Sequence, residues 1–175
     1  MTLKEQFRNP PNRVMRDRII SEIGSSQENF DELVSLMIFE DDPVSWRAAW
    51  VADYCDEACP GLATRHLPAL IRQLPKKSDG FRRSCLRMIS RHKVGPKEQG
   101  RLADLCFNWM VTETVPVAIK VHCMQILANL TQQYPELTGE LVMVIEDQLD
   151  LNSAGFKSRG KMILKYLTNS RQDIS

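Results

Sequence analysis

Trp46-Arg47-Ala48-Ala49-Trp50, Phe81-Arg82-Arg83-Ser84-Cys85, Ile119-Lys120-Val121-His122-Cys123 and Phe156-Lys157-Ser158-Arg159-Gly160 are four versions of one segment. Each sets an apolar anchor before a base. The anchors Trp46, Phe81, Ile119 and Phe156 stand 35, 38 and 37 residues apart. Each pairs with a residue four positions later, on the same face of a helix. A further apolar position recurs eight after the anchor, as Tyr54, Ile89, Leu127 and Leu164. A period of this length marks a helical-repeat array. One helix pair cannot bury its apolar stripe alone, but stacked pairs share a continuous seam.

Outward from these segments, Gly and Pro punctuate the chain and helical periodicity fills the gaps. Met15, Ile19 and Ile23 form a stripe over 12–24 that Gly24 ends. Ser25-Ser26-Gln27-Glu28 reads as a capping box opening a helix with Phe30, Leu33, Val34 and Met37 on one face. Asp42-Pro43 opens the next helix, with Asp as cap and Pro in the first turn; Pro60-Gly61 breaks it. Further helices are expected over 65–74, 79–92, 97–113, 116–133, 136–149 and 154–168. No stretch shows sustained period-two alternation or an Asn-Gly or Asp-Gly hairpin turn, so strands are not expected. Connections of a few residues imply antiparallel neighbours.

The run from Trp46-Arg47-Ala48-Ala49 through Pro60-Gly61 to His66-Leu67-Pro68-Ala69-Leu70-Ile71 resembles a HEAT repeat. Tyr134-Pro135-Glu136-Leu137 is similar to another junction of that kind. The resemblance covers roughly 43–168 and extends to the armadillo-like class. It implies an all-α, right-handed α-solenoid of stacked antiparallel helix pairs, about nine helices in one domain over 1–175. Residues 12–40 are the expected N-terminal capping pair. The expected repeats are 43–75, 79–113 and 116–150, with 154–168 as the C-terminal capping helix. His122 departs from the pattern, replacing the small residue after the basic position.

A chain of 175 residues buries ~70% of its unfolded surface and needs neither disulfide nor metal to hold a core. The N-terminus carries no apolar signal-peptide region, and no stretch reaches the ~18 apolar residues of a membrane span. The expectation is a soluble cytoplasmic protein that does not engage a membrane. Its five cysteines, an odd number lying inside apolar helical patterns, read as free buried thiols.

Catalytic signatures are missing: no Gly-rich phosphate loop, no G-x-S-x-G elbow and no H-E-x-x-H pair occurs. A non-enzymatic protein without cofactor or metal is therefore expected. Cys55, Cys59 and His66 could offer zinc three ligands, but cysteines at these positions read better as small packing groups. Trp46 and Trp50, at i and i+4, could form a stacking platform; the repeat anchor instead places Trp46 in the core. Trp109 has no repeat equivalent. His92 follows Arg91 at a helix C-terminus, where cations complement the dipole. Asp53, Asp56 and Glu57 read as solvated acids.

The net charge of +1 conceals an asymmetry. Residues 65–101 hold eleven Lys or Arg against Asp79 and Glu98, while 22–57 hold ten Asp or Glu against Arg47 alone. Arg83, Arg87 and Arg91 fall in one row, and Arg65, Arg72 and Lys76 in another. With Arg82 and Lys97 they make the expected binding surface. A basic face of this kind can take an acidic peptide, a protein surface or phosphate. The expected function is a non-catalytic scaffold binding a partner protein through a curved helical surface. The alternative is nucleic-acid binding resembling the HEAT-like DNA alkylation repair proteins, whose catalytic Asp and aromatic residues find no matching positions here. Head-to-tail self-association between acidic and basic segments is a third outcome.

Overall fold

A computed structural model describes residues 1–172, with side chains to residue 169. The last three residues of the expected 1–175 domain lie outside the described residues. Among the described residues there are ten α-helices and no strand: α1 (Leu3–Gln6), α2 (Arg13–Ile23), α3 (Gln27–Phe39), α4 (Val44–Ala58), α5 (Leu67–Gln73), α6 (Asp79–Ile89), α7 (Pro96–Val111), α8 (Val117–Thr131), α9 (Leu137–Leu149) and α10 (Ala154–Gln172). Single 3-10 turns, Thr64–His66 and Leu74–Lys76, flank α5. Pro68 and Pro75 each sit in the first turn of a segment, where a missing N–H costs nothing. The expected single helix over 65–74 is therefore divided.

Local signals set most boundaries. The Asn12 side chain accepts from the Met15 amide and starts α2, and Gly24 at φ 51° ends it. The cap of α3 is Ser26, accepting from Asn29, one residue later than the expected box of Ser25 and Glu28. Asp42 does not cap α4, whose first turn has no side-chain cap. Instead the Asp41 carbonyl accepts from the Ser45 amide, and Ser45 Oγ donates to the Met37 carbonyl at 2.7 Å, tying α4 to the end of α3. The short α1 was not expected. Thr2 and Glu5 cap it reciprocally, and Arg47 holds its C-terminal side by donating to the carbonyls of Phe7, Arg8 and Asn9 at 2.9–3.0 Å.

The chain forms two compact units, Met1–Val94 and from Gly95 onward. The expected repeat 79–113 has its first helix, α6, in one unit and its second, α7, in the other. In the first unit α4 packs against α2, α3 and α6. Phe30, Leu33, Met37, Leu70, Ile71, Phe81, Leu86 and Met88 are among its large, fully enclosed side chains. In the second unit α8 packs on α7, α9 and α10. Leu102, Cys106, Trp109, Ile119, Cys123, Leu127, Leu141, Ile145, Phe156 and Ile163 fill that core.

The anchor register holds in three helices and shifts in one. Phe81, Ile119 and Phe156 are buried, as are Cys85, Cys123 and Gly160 four residues on. In α10 the third apolar position falls on Ile163, with Leu164 half-buried. In α4 the inward row is Ser45, Ala48, Ala49, Ala52, Cys55 and Asp56. Trp46, Trp50 and Tyr54 lie beside that row, half-buried, so the expectation of a core Trp46 is corrected. An α4 surrounded by three helices needs small inward residues, and a tryptophan has no room there.

Gly160 marks the tightest approach in the second unit. A Cβ there would lie 2.9 Å from Leu149 Cδ2 and 3.1 Å from Ile145 Cγ2, so α10 sits close on α9. Gly160→Val is expected to lower stability by about 1–3 kcal/mol, as overpacking does. Urea unfolding followed by circular dichroism checks this, with Gly155→Val, at the solvent-exposed start of the same helix, as the matched control.

A candidate docking cleft of aromatic rings and arginines

Arg83 and Arg87 lie on α6 and Arg91 in the turn just after it, and two of the three are occupied. Arg87 donates to Asp53 Oδ2 and to Glu57 Oε1, both at 2.6 Å. Arg91 donates to Asp53 Oδ1 at 2.8 Å, to the Asp53 carbonyl at 2.9 Å and to Asp56 Oδ2 at 3.2 Å. His92 Nε2 lies 2.8 Å from the same Asp56 oxygen, and the Ala63 amide donates to Asp56 Oδ1 at 3.1 Å. The Asp53 and Asp56 side chains are only 4% and 1% exposed. They are not the solvated acids that the sequence led us to expect.

This arrangement accounts for the charge asymmetry. Acidic α4 and basic α6 face each other within the first unit, so much of each charge is spent on the other. Arg65 pairs with Asp31, which also meets His66 at 2.6 Å and Gln27 at 3.1 Å. Arg82 pairs with Asp79 and donates to the carbonyls of Leu74 and Pro75. Arg72 on α5 and Lys76 just after it are exposed, and Lys97 is exposed on α7 in the second unit. The eight expected bases thus do not form one free face. Arg83 is exposed and, among the described residues, has no hydrogen-bond or ion-pair partner.

Electrostatics follow from burial and donors. Burial pushes the Asp53 carboxyl above its ordinary range, against the pull of Arg87 and Arg91. Burial acts on Asp56 too, but the hydrogen bonds from His92, Ala63 and Arg91 prevail and hold it below the ordinary range. Arg87 is held protonated: burial opposes its charge, and the bonds to Glu57 and Asp53 outweigh burial. Cys55, weighed as a zinc ligand, is buried, and its thiol is pushed up to about 12 by burial and then by Asp56. A thiol so disfavoured as thiolate is a packing group. Among the described residues no three His, Cys, Asp or Glu side chains converge as a metal would require.

Beside this network runs a cleft of about 210 Å³. Trp46, Trp50 and Tyr54 of α4 form one wall, and Gly80, Arg83, Ser84 and Arg87 of α6 the other, with Asp53 between them. Trp50 and Tyr54 meet edge to face, with centroids 5.9 Å apart at 82°. Arg16 of α2 lies 4.3 Å from the Tyr54 centroid and 5.5 Å from that of Trp50, and Arg87 lies 5.2 Å from Tyr54. Each such cation–ring contact contributes about 0.5–1 kcal/mol at a surface. Trp46 comes close to Gly80, where a Cβ would lie 3.2 Å from Trp46 Cβ and Cγ. The aromatic row went unassigned in the sequence because the anchor alignment claimed Trp46 for the core. The signal that could have found it is the i, i+4, i+8 aromatic spacing one position off an Ala-rich row. A second cleft, of about 320 Å³ in the other unit, has Ala103, Leu130, Tyr134 and Leu137 among its lining residues.

The network makes two expectations. Arg91→Ala leaves two buried carboxylates short of donors and is expected to cost about 3–5 kcal/mol, read by urea unfolding at neutral pH. Asp56, titrating below its ordinary range, adds stability above the unfolded carboxyl pKa of about 4, and that stability is lost as pH falls through the lower folded value. Asp53, raised, acts with the opposite sign. Thermal melts of Asp56→Asn between neutral and strongly acid pH are therefore expected to lose less stability with acidification than those of the wild type. Equal acid limbs in the two proteins would contradict this.

Comparison with curated proteins and with solved structures gave no match. The family profile of the HEAT repeat domain matches residues 3–167. That span takes in α1 to α9, the unexpected α1 included, and most of α10, and with the all-helical fold it places this chain in the HEAT repeat domain family.

Proposed function

We propose that this protein is a non-catalytic docking module that grips a segment of a partner protein in the cleft between α4 and α6. HEAT repeats typically mediate protein interactions, which supports the general reading, although a fold by itself does not name a function. The observation that carries the specific reading is the row Trp46, Trp50 and Tyr54, half-buried beside an unpaired Arg83. Aromatic rings and arginines in a cleft are the groups that dominate binding energy at protein interfaces. Their scaffold is rigid, since Asp53, Arg87 and Arg91 lock α4 to α6. No catalytic role is assigned to Asp53 or Asp56, whose oxygens are taken by arginine, histidine and a backbone amide.

A nucleic-acid reading would need several unpaired cations on one face, to displace counterions from phosphates. Arg65, Arg82, Arg87 and Arg91 instead have acidic partners. The test is affinity capture with the tagged full-length chain from lysate, with and without nuclease, comparing wild type with Trp50→Ala and Arg83→Glu. Proteins that resist nuclease and disappear with either variant are the expected result. Capture that nuclease abolishes would transfer the reading to nucleic acid. Capture indifferent to both variants would place the docking surface elsewhere.

A further inference from the structure

Size, ring chemistry and charge together restrict what the α4–α6 cleft can hold. At about 210 Å³ it falls below the ~300 Å³ at which pockets for small organic ligands begin. It has room for a single large side chain. Its apolar surface is aromatic, which favours a planar guest packed edge to face or offset on Trp46 and Trp50.

The charge pattern selects the sign of the guest. A cage of aromatic rings commonly suits a cation. Here the cation positions over Tyr54 are already filled, by Arg16 at 4.3 Å and Arg87 at 5.2 Å, and Asp53 is saturated by two arginines. A third cation would sit among Arg16, Arg83 and Arg87 with no unpaired carboxylate in the lining to receive it. Among the described residues, the one charged lining group without a partner is Arg83, beside the buried Ser84. A guanidinium in that position takes a carboxylate in a two-point contact.

Helix geometry then sets the spacing. Gly80, against Trp46, and Arg83 are three residues apart on α6, a rise of about 4.5 Å. An extended peptide advances about 3.3 Å per residue. A ring seated at Trp46 and a carboxylate at Arg83 are therefore one or two residues apart in the guest. Resting on the docking reading above, we propose that the partner presents a short acidic segment, with an aromatic side chain seated between Trp46 and Trp50. An Asp or Glu one or two positions away is held by Arg83.

The full chain is titrated with three synthetic octapeptides: one with Phe flanked by Asp at both the first and second positions on each side, one with that Phe replaced by Ala, and one with the Asp residues replaced by Lys. The readout is intrinsic tryptophan fluorescence, in which Trp109, buried in the second unit, supplies a constant background. The acidic aromatic peptide is expected to bind saturably and at least ten-fold more tightly than either control. Arg83→Glu is expected to weaken it at least ten-fold and to improve binding of the Lys peptide. Trp50→Ala is expected to weaken all three. Unchanged thermal melts for both variants separate lost binding from lost folding; a variant that melts early is replaced by Arg83→Gln or Trp50→Phe. Equal affinity for the Asp and Lys peptides, no response to Arg83→Glu, or no binding by the wild type overturns the proposal. If lysate capture still depends on Trp50 while the acidic peptide fails, only this class of partner falls. If capture ignores Trp50, the docking reading falls with it.

Discussion

Asp53 and Asp56 keep their charges almost out of water, and the first unit is arranged around satisfying them. Stripping water from a carboxylate costs several kcal/mol unless donors replace it. The donors come from α6 and the turn just after it, thirty or more residues away in sequence: Arg87, Arg91 and His92. The Ala63 amide adds a fourth from the loop after α4. Because each carboxylate meets more than one donor, α6 cannot slide or rotate on α4 without leaving a buried charge unpaired. Hydrophobic contact alone is non-directional and would tolerate such slippage.

That fixed geometry creates the cleft. With Arg87 pulled toward Asp53 and Glu57, its guanidinium also lies over Tyr54. Gly80 lets the first turn of α6 lie against Trp46. The Ala row of α4 faces inward, so the bulky rings one position over reach the edge of the packed layer. Core packing, the ion network and the aromatic wall are thus three consequences of one helix–helix register. The arginine row does double duty: Arg87 and Arg91 hold the helices, and Arg83, one turn earlier, remains outside the network.

The helices and their order were legible because periodicity and capping are local. Gly24, Asn12 and the proline breaks act within a few residues of themselves. The near misses were local as well: the α3 cap moved from Ser25 to Ser26, and Asp42 gave way to the Asp41 carbonyl, because several polar residues competed for one helix end. Arg47 shows the other kind of limit. In the sequence it was one base of a repeat pattern, whereas in the fold it collects three carbonyls from the end of α1, some forty residues upstream.

By itself, then, the sequence determined the all-helical class, the repeat spacing and the segregation of acid and base into separate stretches, since each is written in residue identity and short-range period. The tertiary structure alone decided that those charged stretches meet, that Asp53 and Asp56 are buried, and that Trp46, Trp50 and Tyr54 line a cleft rather than a core. The physical reason is that a helix face has no inside or outside until its neighbours are placed. A one-residue change of register turns it by 100°, and periodicity cannot tell which of two adjacent stripes, alanine or aromatic, the neighbours will cover.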